Sequence, residues 1–214
     1  MKLNTLRRTG GAAAVALTLS LGLAACGGEE EPTSASGETT QSEEPTQEES
    51  APMENAAMAQ TYGAGCAQVP TSGAGSFDGM ATAPVASAAS ANPLLKILVT
   101  AVTEAGLVEP LNSAPELTVF APADPAFEAI PKKDLNAVLA DKQLLGSVLK
   151  HHVVGEEITP DQLTGEFETL NGDMLTVNGT GEQATIGDEK AQVLCGNVPT
   201  ANATVYVIDT VMMP

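Results

Sequence analysis

Thr118-Val-Phe-Ala-Pro-Ala-Asp-Pro-Ala-Phe127 is the stretch on which the fold reading turns. Thr118 to Ala121 combine β-branched, aromatic and small residues as a short buried strand does. Asp124 and Pro125 then start a helix: the carboxylate accepts backbone N–H bonds and meets the positive end of the helix dipole, and proline suits the first turn. Phe120 and Phe127 are two of the 4 phenylalanines in a chain with 3% aromatic residues and no tryptophan. Both are expected in the core, where each ring buries a large area.

Working outward toward the N-terminus, Asn92 reads as an N-cap and Pro93 as the first helical residue. Leu94, Ile97, Leu98, Ala101 and Ala105 form one apolar stripe, and Gly106 stops the helix. Before it lies an irregular Gly- and Ala-rich segment from Tyr62 onward. Toward the C-terminus, Leu135, Val138 and Leu139 mark one helix, and Leu144, Leu145, Val148 and Leu149 mark another. After His152 the period changes to alternation. Strands are expected at 167–170, 174–177, 183–186, 192–194 and 204–208, with Asn171-Gly172 as a two-residue hairpin turn. Val205 and Val207 face one way and Tyr206 and Ile208 the other, as in a central strand buried on both sides. Helices in the first half and a twisted sheet or wedge-shaped sandwich in the second define a single α+β domain. No repeat of 20 to 50 residues supports a solenoid.

The N-terminus has the parts of a bacterial lipoprotein signal: basic Lys2, Arg7 and Arg8, an apolar stretch from Ala12 to Ala25, and Leu23-Ala-Ala-Cys26. That stretch falls short of the roughly 20 apolar residues that span a bilayer. Residues 1–25 are therefore read as the signal and Cys26 as the lipidated start of the mature chain, on the extracytoplasmic face of a bacterial membrane. Residues 26–61, rich in Glu, Ser, Thr, Pro and Gln, read as an acidic disordered tether. About 34 such residues span roughly 30 to 35 Å as a flexible coil. Residues 62–214 are the folded domain.

The formal net charge is −18, and losing Lys2, Arg7 and Arg8 with the signal leaves a remainder more acidic still, without arginine. Such a chain repels phosphate backbones and anionic headgroups, which argues against nucleic-acid binding and polybasic membrane attachment. With Cys26 assigned to lipid, Cys66 and Cys195 remain in a compartment where disulfides persist. The simplest reading pairs them; two unpaired buried thiols are the alternative.

Three segments stand together: Thr118 to Phe127, Leu149-Lys-His-His-Val-Val154, and Ala203-Thr-Val-Tyr-Val-Ile-Asp-Thr-Val-Met-Met-Pro214. In order and spacing they resemble the leading motif, the central Tyr-His-Val segment and the closing strand of the fasciclin (FAS1) domain. The cysteine placement, lipobox and acidic tail are most similar to the mycobacterial surface lipoprotein antigens of that family. The resemblance implies a compact α+β domain used for adhesion and extracellular binding. It departs from the family at the Tyr-His pair: His151 stands where the tyrosine is usual, and His152 matches the family histidine. That segment is implicated in integrin-dependent adhesion in animal relatives, so His151, His152 and the family-like Asp209 are the candidate partner-binding residues.

His151 and His152 are the 2 histidines of the chain. They end a predicted helix, where a donor suits the unpaired carbonyls, and neighbours entering a strand point to opposite faces. Helix-terminal hydrogen bonding, partner contact, and metal or catalytic work are the open readings. No Gly-x-Ser-x-Gly, His-Glu-x-x-His, phosphate loop or Cys-x-x-Cys is present. Ser147, four residues before His151, has no identifiable orienting acid or oxyanion donor. Asn178-Gly-Thr and Asn202-Ala-Thr match the glycosylation sequon but read as turns. No catalytic residue, cofactor or metal is assigned. The expected protein is a monomeric adhesion module for an extracellular protein or cell-wall partner. The rival readings are a structural or sensing protein of the producer's own envelope, and a hydrolase with an unrecognised site.

Overall fold

The computed structural model describes residues 57–214. The expected signal, Cys26 and most of the tether lie outside the described residues. Folding begins slightly before Tyr62: Met58–Gln60 form a 3-10 turn, and the Asn197 side chain donates to Gln60 O at 3.0 Å.

A helical layer comes first: α1 (Phe77–Ala81), α2 (Val85–Ala91), α3 (Lys96–Glu104) and α4 (Val108–Ser113). After strand β1 (Leu117–Pro122) come α5 (Asp124–Glu128), α6 (Lys132–Ala140) and α7 (Lys142–His151). The remaining strands are β2 (Val153–Val154), β3 (Gly165–Glu168), β4 (Met174–Asn178), β5 (Thr185–Ile186), β6 (Ala191–Pro199) and β7 (Ala203–Ile208). They form a 7-stranded sheet in the order β2-β1-β7-β6-β5-β4-β3. Only β1 and β7 pair in parallel; the other neighbours are antiparallel. β6 shifts register twice against β7. These irregularities bend it, so that β3, β4 and β5 fold over one face of the β1–β7 pair.

β7 is an interior strand, between β1 and β6, and is buried along its whole length. Val205 and Val207 enter the core beneath the helices. Tyr206 and Ile208 enter a second core, with Phe120, Leu175, Val177 and Ile186, between the two halves of the sheet. Phe120 pairs in register with Tyr206, and their rings stack with centroids 5.7 Å apart. The Tyr206 hydroxyl donates to Ile158 O at 2.8 Å, which satisfies the one polar atom that this ring buries. Phe127 lies in the helix-side core.

Several local expectations change. Asn92 does not start a helix: it follows the end of α2, and its side-chain oxygen accepts from Leu94 N at 3.0 Å. Asp124 does not cap its own helix. Its Oδ1 accepts from Ile97 N at 2.9 Å, at the start of α3, while its own N–H donates to Leu94 O at 2.9 Å. One aspartate thus ties α3 to the end of β1. Gly106 does end α3, at φ +69°, with Gly106 N bonded to Thr103 O and Leu107 N to Val102 O, the Schellman pattern that a left-handed residue permits. Asn171-Gly172 is not a two-residue turn. Thr169 pairs with Asp173 across three loop residues, and of these only Gly172 has positive φ. Leu144 points outward, 38% exposed, while Leu145, Val148 and Leu149 are buried.

Two long-range staples hold the first segment down. Cys66 and Cys195 form a disulfide across 129 residues of sequence, and Tyr62 beside it exchanges both backbone hydrogen bonds with Gly196. A Cβ at Gly196 would sit 2.4 Å from the Tyr62 ring, so only glycine admits that approach. Asn202, in the sequon-like Asn-Ala-Thr, accepts from Val85 N at 2.9 Å and donates to Leu111 O at 2.9 Å and Ala114 O at 2.8 Å. It fastens α2 and α4 to the β6–β7 turn.

Reducing the disulfide is expected to lower unfolding free energy by up to about 5 kcal/mol, the chain-entropy value for a loop this long. Urea unfolding with and without reductant checks this, and equal midpoints would contradict it. Phe120→Ala should cost about 3 to 5 kcal/mol in the same measurement, whereas a near-neutral result would place the ring outside the core.

Candidate functional site

α7 delivers the two histidines. Asp141 caps it, its Oδ1 accepting from Gln143 N at 2.9 Å and Leu144 N at 3.2 Å. Leu145, Val148 and Leu149 pack inward, which fixes the angle at which the helix presents its last turn. The rings of His151 and His152 lie 6.2 Å apart and nearly perpendicular, and their nitrogens go to different partners. They do not converge on a shared ligand.

His152 is 3% exposed. Its Nδ1 lies 2.8 Å from Val148 O, and Met212 N donates to its Nε2 at 3.0 Å. This pattern requires a neutral imidazole with the proton on Nδ1, because Nε2 must accept. Burial pushes its pKa down to about 4, the hydrogen bond to Val148 O opposes that, and His151 nearby lowers it further. Both ring nitrogens are spent on holding the chain's last residues against α7. His151 is 6% exposed, and its Nδ1 lies 2.8 Å from Asp173 Oδ1. Asp173 also accepts from Thr169 Oγ1 and from Asn171 Nδ2 at 2.8 Å. Partial burial raises its pKa, but these donors outweigh that and hold the carboxyl well below the usual range.

The expected binding face around His152 and Asp209 is therefore not an exposed histidine face. Asp209 is half-buried; its Oδ1 accepts from Gln192 N and Thr210 Oγ1, both at 2.8 Å, and its N–H donates to Gln192 O at 3.1 Å. It closes the β6–β7 ladder. Ser147 does not bond His151 directly; it donates to Asn171 Oδ1 at 2.7 Å, and Asn171 in turn donates to Asp173, the partner of His151. His152 and Asp209 thus become separate fastenings, while His151 and Ser147 share one network that runs through Asp173 and Asn171. Asp173 and Asn202, which carry the densest side-chain networks, have no signal in the sequence beyond their position in turns. Among the described residues, no group of three or more His, Cys, Asp or Glu side chains is placed to hold a metal ion.

Near α7, a cavity of about 160 Å³ with Asp173, Asp188 and Glu189 on its walls lies beside His151, and two further cavities are apolar. One, of about 290 Å³, lies on one side, with Phe120 and His152 on its walls. A second, of about 230 Å³, lies beneath α5 and α6 on the other side. Leu149 and His152 line both.

The buried neutral imidazole makes folding proton-linked. Unfolded, His152 titrates near its ordinary 6.5; folded, near 4. The unfolded chain therefore binds a proton that the folded one refuses, and stability is present above about 6.5 and falls as pH drops toward about 4. Relative to His152→Gln, the protein should lose up to about 3 kcal/mol more across that window in urea unfolding. Parallel curves would contradict a neutral buried His152.

The Fasciclin domain family model matches residues 93–214. The chain is 42% identical over 186 residues to the cell surface glycolipoprotein MPB83 of Mycobacterium bovis, covering 81% of this chain and 83% of that protein. It is 42% identical over 168 residues to the immunogenic protein MPT70 of Mycobacterium tuberculosis, covering 74% and 85%. Among solved structures, a FAS1 domain pair from the insect cell adhesion molecule Fasciclin I matches with a TM-score of 0.47 and 23% identity, over 56% of this chain and 45% of that one. The leading motif, the central histidine and the closing strand fall inside the matched region, and the chain belongs to the fasciclin domain family.

Proposed function

We propose that this chain is a lipid-anchored bacterial surface protein that works by binding an extracellular partner, presenting one fasciclin domain, residues 62–214 with a few packed residues before it, on an acidic tether that starts at lipidated Cys26. The observation that carries the binding reading is the commitment of both imidazoles to internal hydrogen bonds. His152, with both nitrogens engaged, is used to build the fold, and His151 is paired with Asp173; this reading takes shape and surface as the means of action. The surface location is supported by the lipobox at Leu23 to Cys26 and by relatives named as cell surface glycolipoproteins. The acidic character suits a tether held off an anionic membrane, with the lipid as the attachment.

A protein of this kind meets its partner from a crowded two-dimensional surface. Neighbouring copies raise the effective concentration, so weak single-domain contacts suffice. Host matrix, host cell receptors and the producer's own wall polymers are the partner classes that such a position reaches.

Two measurements test the reading. Intact mass of the membrane-extracted protein should show a chain that begins at Cys26 and carries acyl groups, whereas an unmodified Met1 terminus would remove the anchor. The tethered protein, offered matrix proteins, host cells and the producer's wall fraction at physiological salt, should bind one of them saturably. Saturable binding to matrix or cells supports adhesion outward, and binding confined to the wall fraction would replace it with an envelope role.

A further inference from the structure

The cavity of about 290 Å³ beside α7 has a composition at odds with the rest of the molecule. The chain carries 27 acidic residues against 9 basic ones, yet no Asp or Glu lines this cavity. Its walls come from α2, α3, α4, the end of α7 and the β3–β4 hairpin, through aliphatic side chains such as Ala89, Val99, Val102 and Leu111. These four are only partly buried, so the cavity reaches the surface along the helical layer. Leu170 stands at the hairpin tip, 45% exposed, on the same rim. Val119 and Phe120 of β1 also line it, as does His152, whose nitrogens are both engaged elsewhere. The one charged side chain on the cavity is the exposed Lys150, in the last turn of α7, and it makes no ion pair among the described residues.

We propose that this cavity binds one long-chain fatty acid, its aliphatic chain running between the helical layer and β1 and its carboxylate at the mouth against Lys150. A cavity with this lining gains from any aliphatic chain that fills it and covers its apolar walls from water. The depletion of carboxylates at the mouth removes the repulsion that the rest of this acidic surface would impose on an anionic head, and the lone ammonium supplies attraction. The inference is independent of the adhesive reading: a ligand can bind here whether the partner is host or wall.

The test uses the full chain with Cys26→Ser, prepared without detergent, so that no attached acyl group or micelle competes. Palmitate and hexadecanol are titrated by displacement of a fluorescent fatty acid, with native mass spectrometry for stoichiometry. One palmitate per chain is expected, with affinity rising roughly fourfold for each added methylene along a series of shorter acids. Lys150→Glu should weaken palmitate by about threefold or more while leaving hexadecanol unchanged. Ala89→Trp, which fills the mouth from a partly exposed position, should abolish both, with a cooperative melting transition showing that the variant still folds. The proposal is overturned if palmitate shows no saturable binding, or if a folded Ala89→Trp binds as the parent does. Equal loss of palmitate and hexadecanol on Lys150→Glu would overturn the placement of the carboxylate.

Discussion

The parallel pairing of β1 with β7 is the constraint on which the rest of the structure depends. It joins residues 117–122 to residues 203–208, a long-range pairing that sets the leading motif and the closing strand side by side. Both faces of β7 are covered, by the helices on one side and the folded-over β3–β4–β5 segment on the other. A strand so placed admits a polar side-chain atom only with a partner, and its sequence from Ala203 to Ile208 has two: the Thr204 hydroxyl donates to Glu157 at 3.0 Å and the Tyr206 hydroxyl to Ile158 O at 2.8 Å. The Phe120–Tyr206 stack ties the two strands through their side chains as the ladder ties them through the backbone.

The central histidine serves this pair. Its two nitrogens join Val148 at the end of α7 to Met212 beyond the end of β7, while its backbone oxygen accepts from Phe120 N at 2.9 Å on β1. One buried residue therefore contacts the helix, the first strand and the segment leaving the last strand. That explains in physical terms why a histidine sits at a helix end inside a core: no other side chain donates on one edge and accepts on the other in a flat, largely apolar ring. The same commitment removes it from reactive chemistry and leaves apolar space on both of its sides.

What the sequence discloses follows the range of the interactions involved. β1, α7, the stop at Gly106 and the two-faced closing strand are legible because their signals lie within a few residues: alternation, an apolar stripe, a left-handed glycine. α1, α2 and α4 are not, since helices of 5 to 7 residues, with a glycine inside α1, mostly Ala and Ser in α2 and a proline in α4, are too short to show a periodic stripe and persist only by packing. Asn92 and Asp124 are polar residues beside proline in both cases, and each looks like a cap. Which helix a carboxylate caps is decided by tertiary placement, and Asp124 reaches 27 residues back to Ile97. For the same reason the histidines read as candidate partner-binding residues: their position at a helix end is local, but their partners, Asp173 and Met212, are supplied by distant hairpin and terminal segments.

Native-state hydrogen exchange tests the central claim most directly. If the β1–β7 pair is the element that everything else braces, the amides of Val119, Phe120, Val205 and Val207 exchange only through global unfolding, with free energies equal to that from denaturant titration, while α6, which buries no residue fully, opens at much lower cost. Exchange of the β7 amides through a local opening well below the global value, with the helical layer still protected, would contradict it.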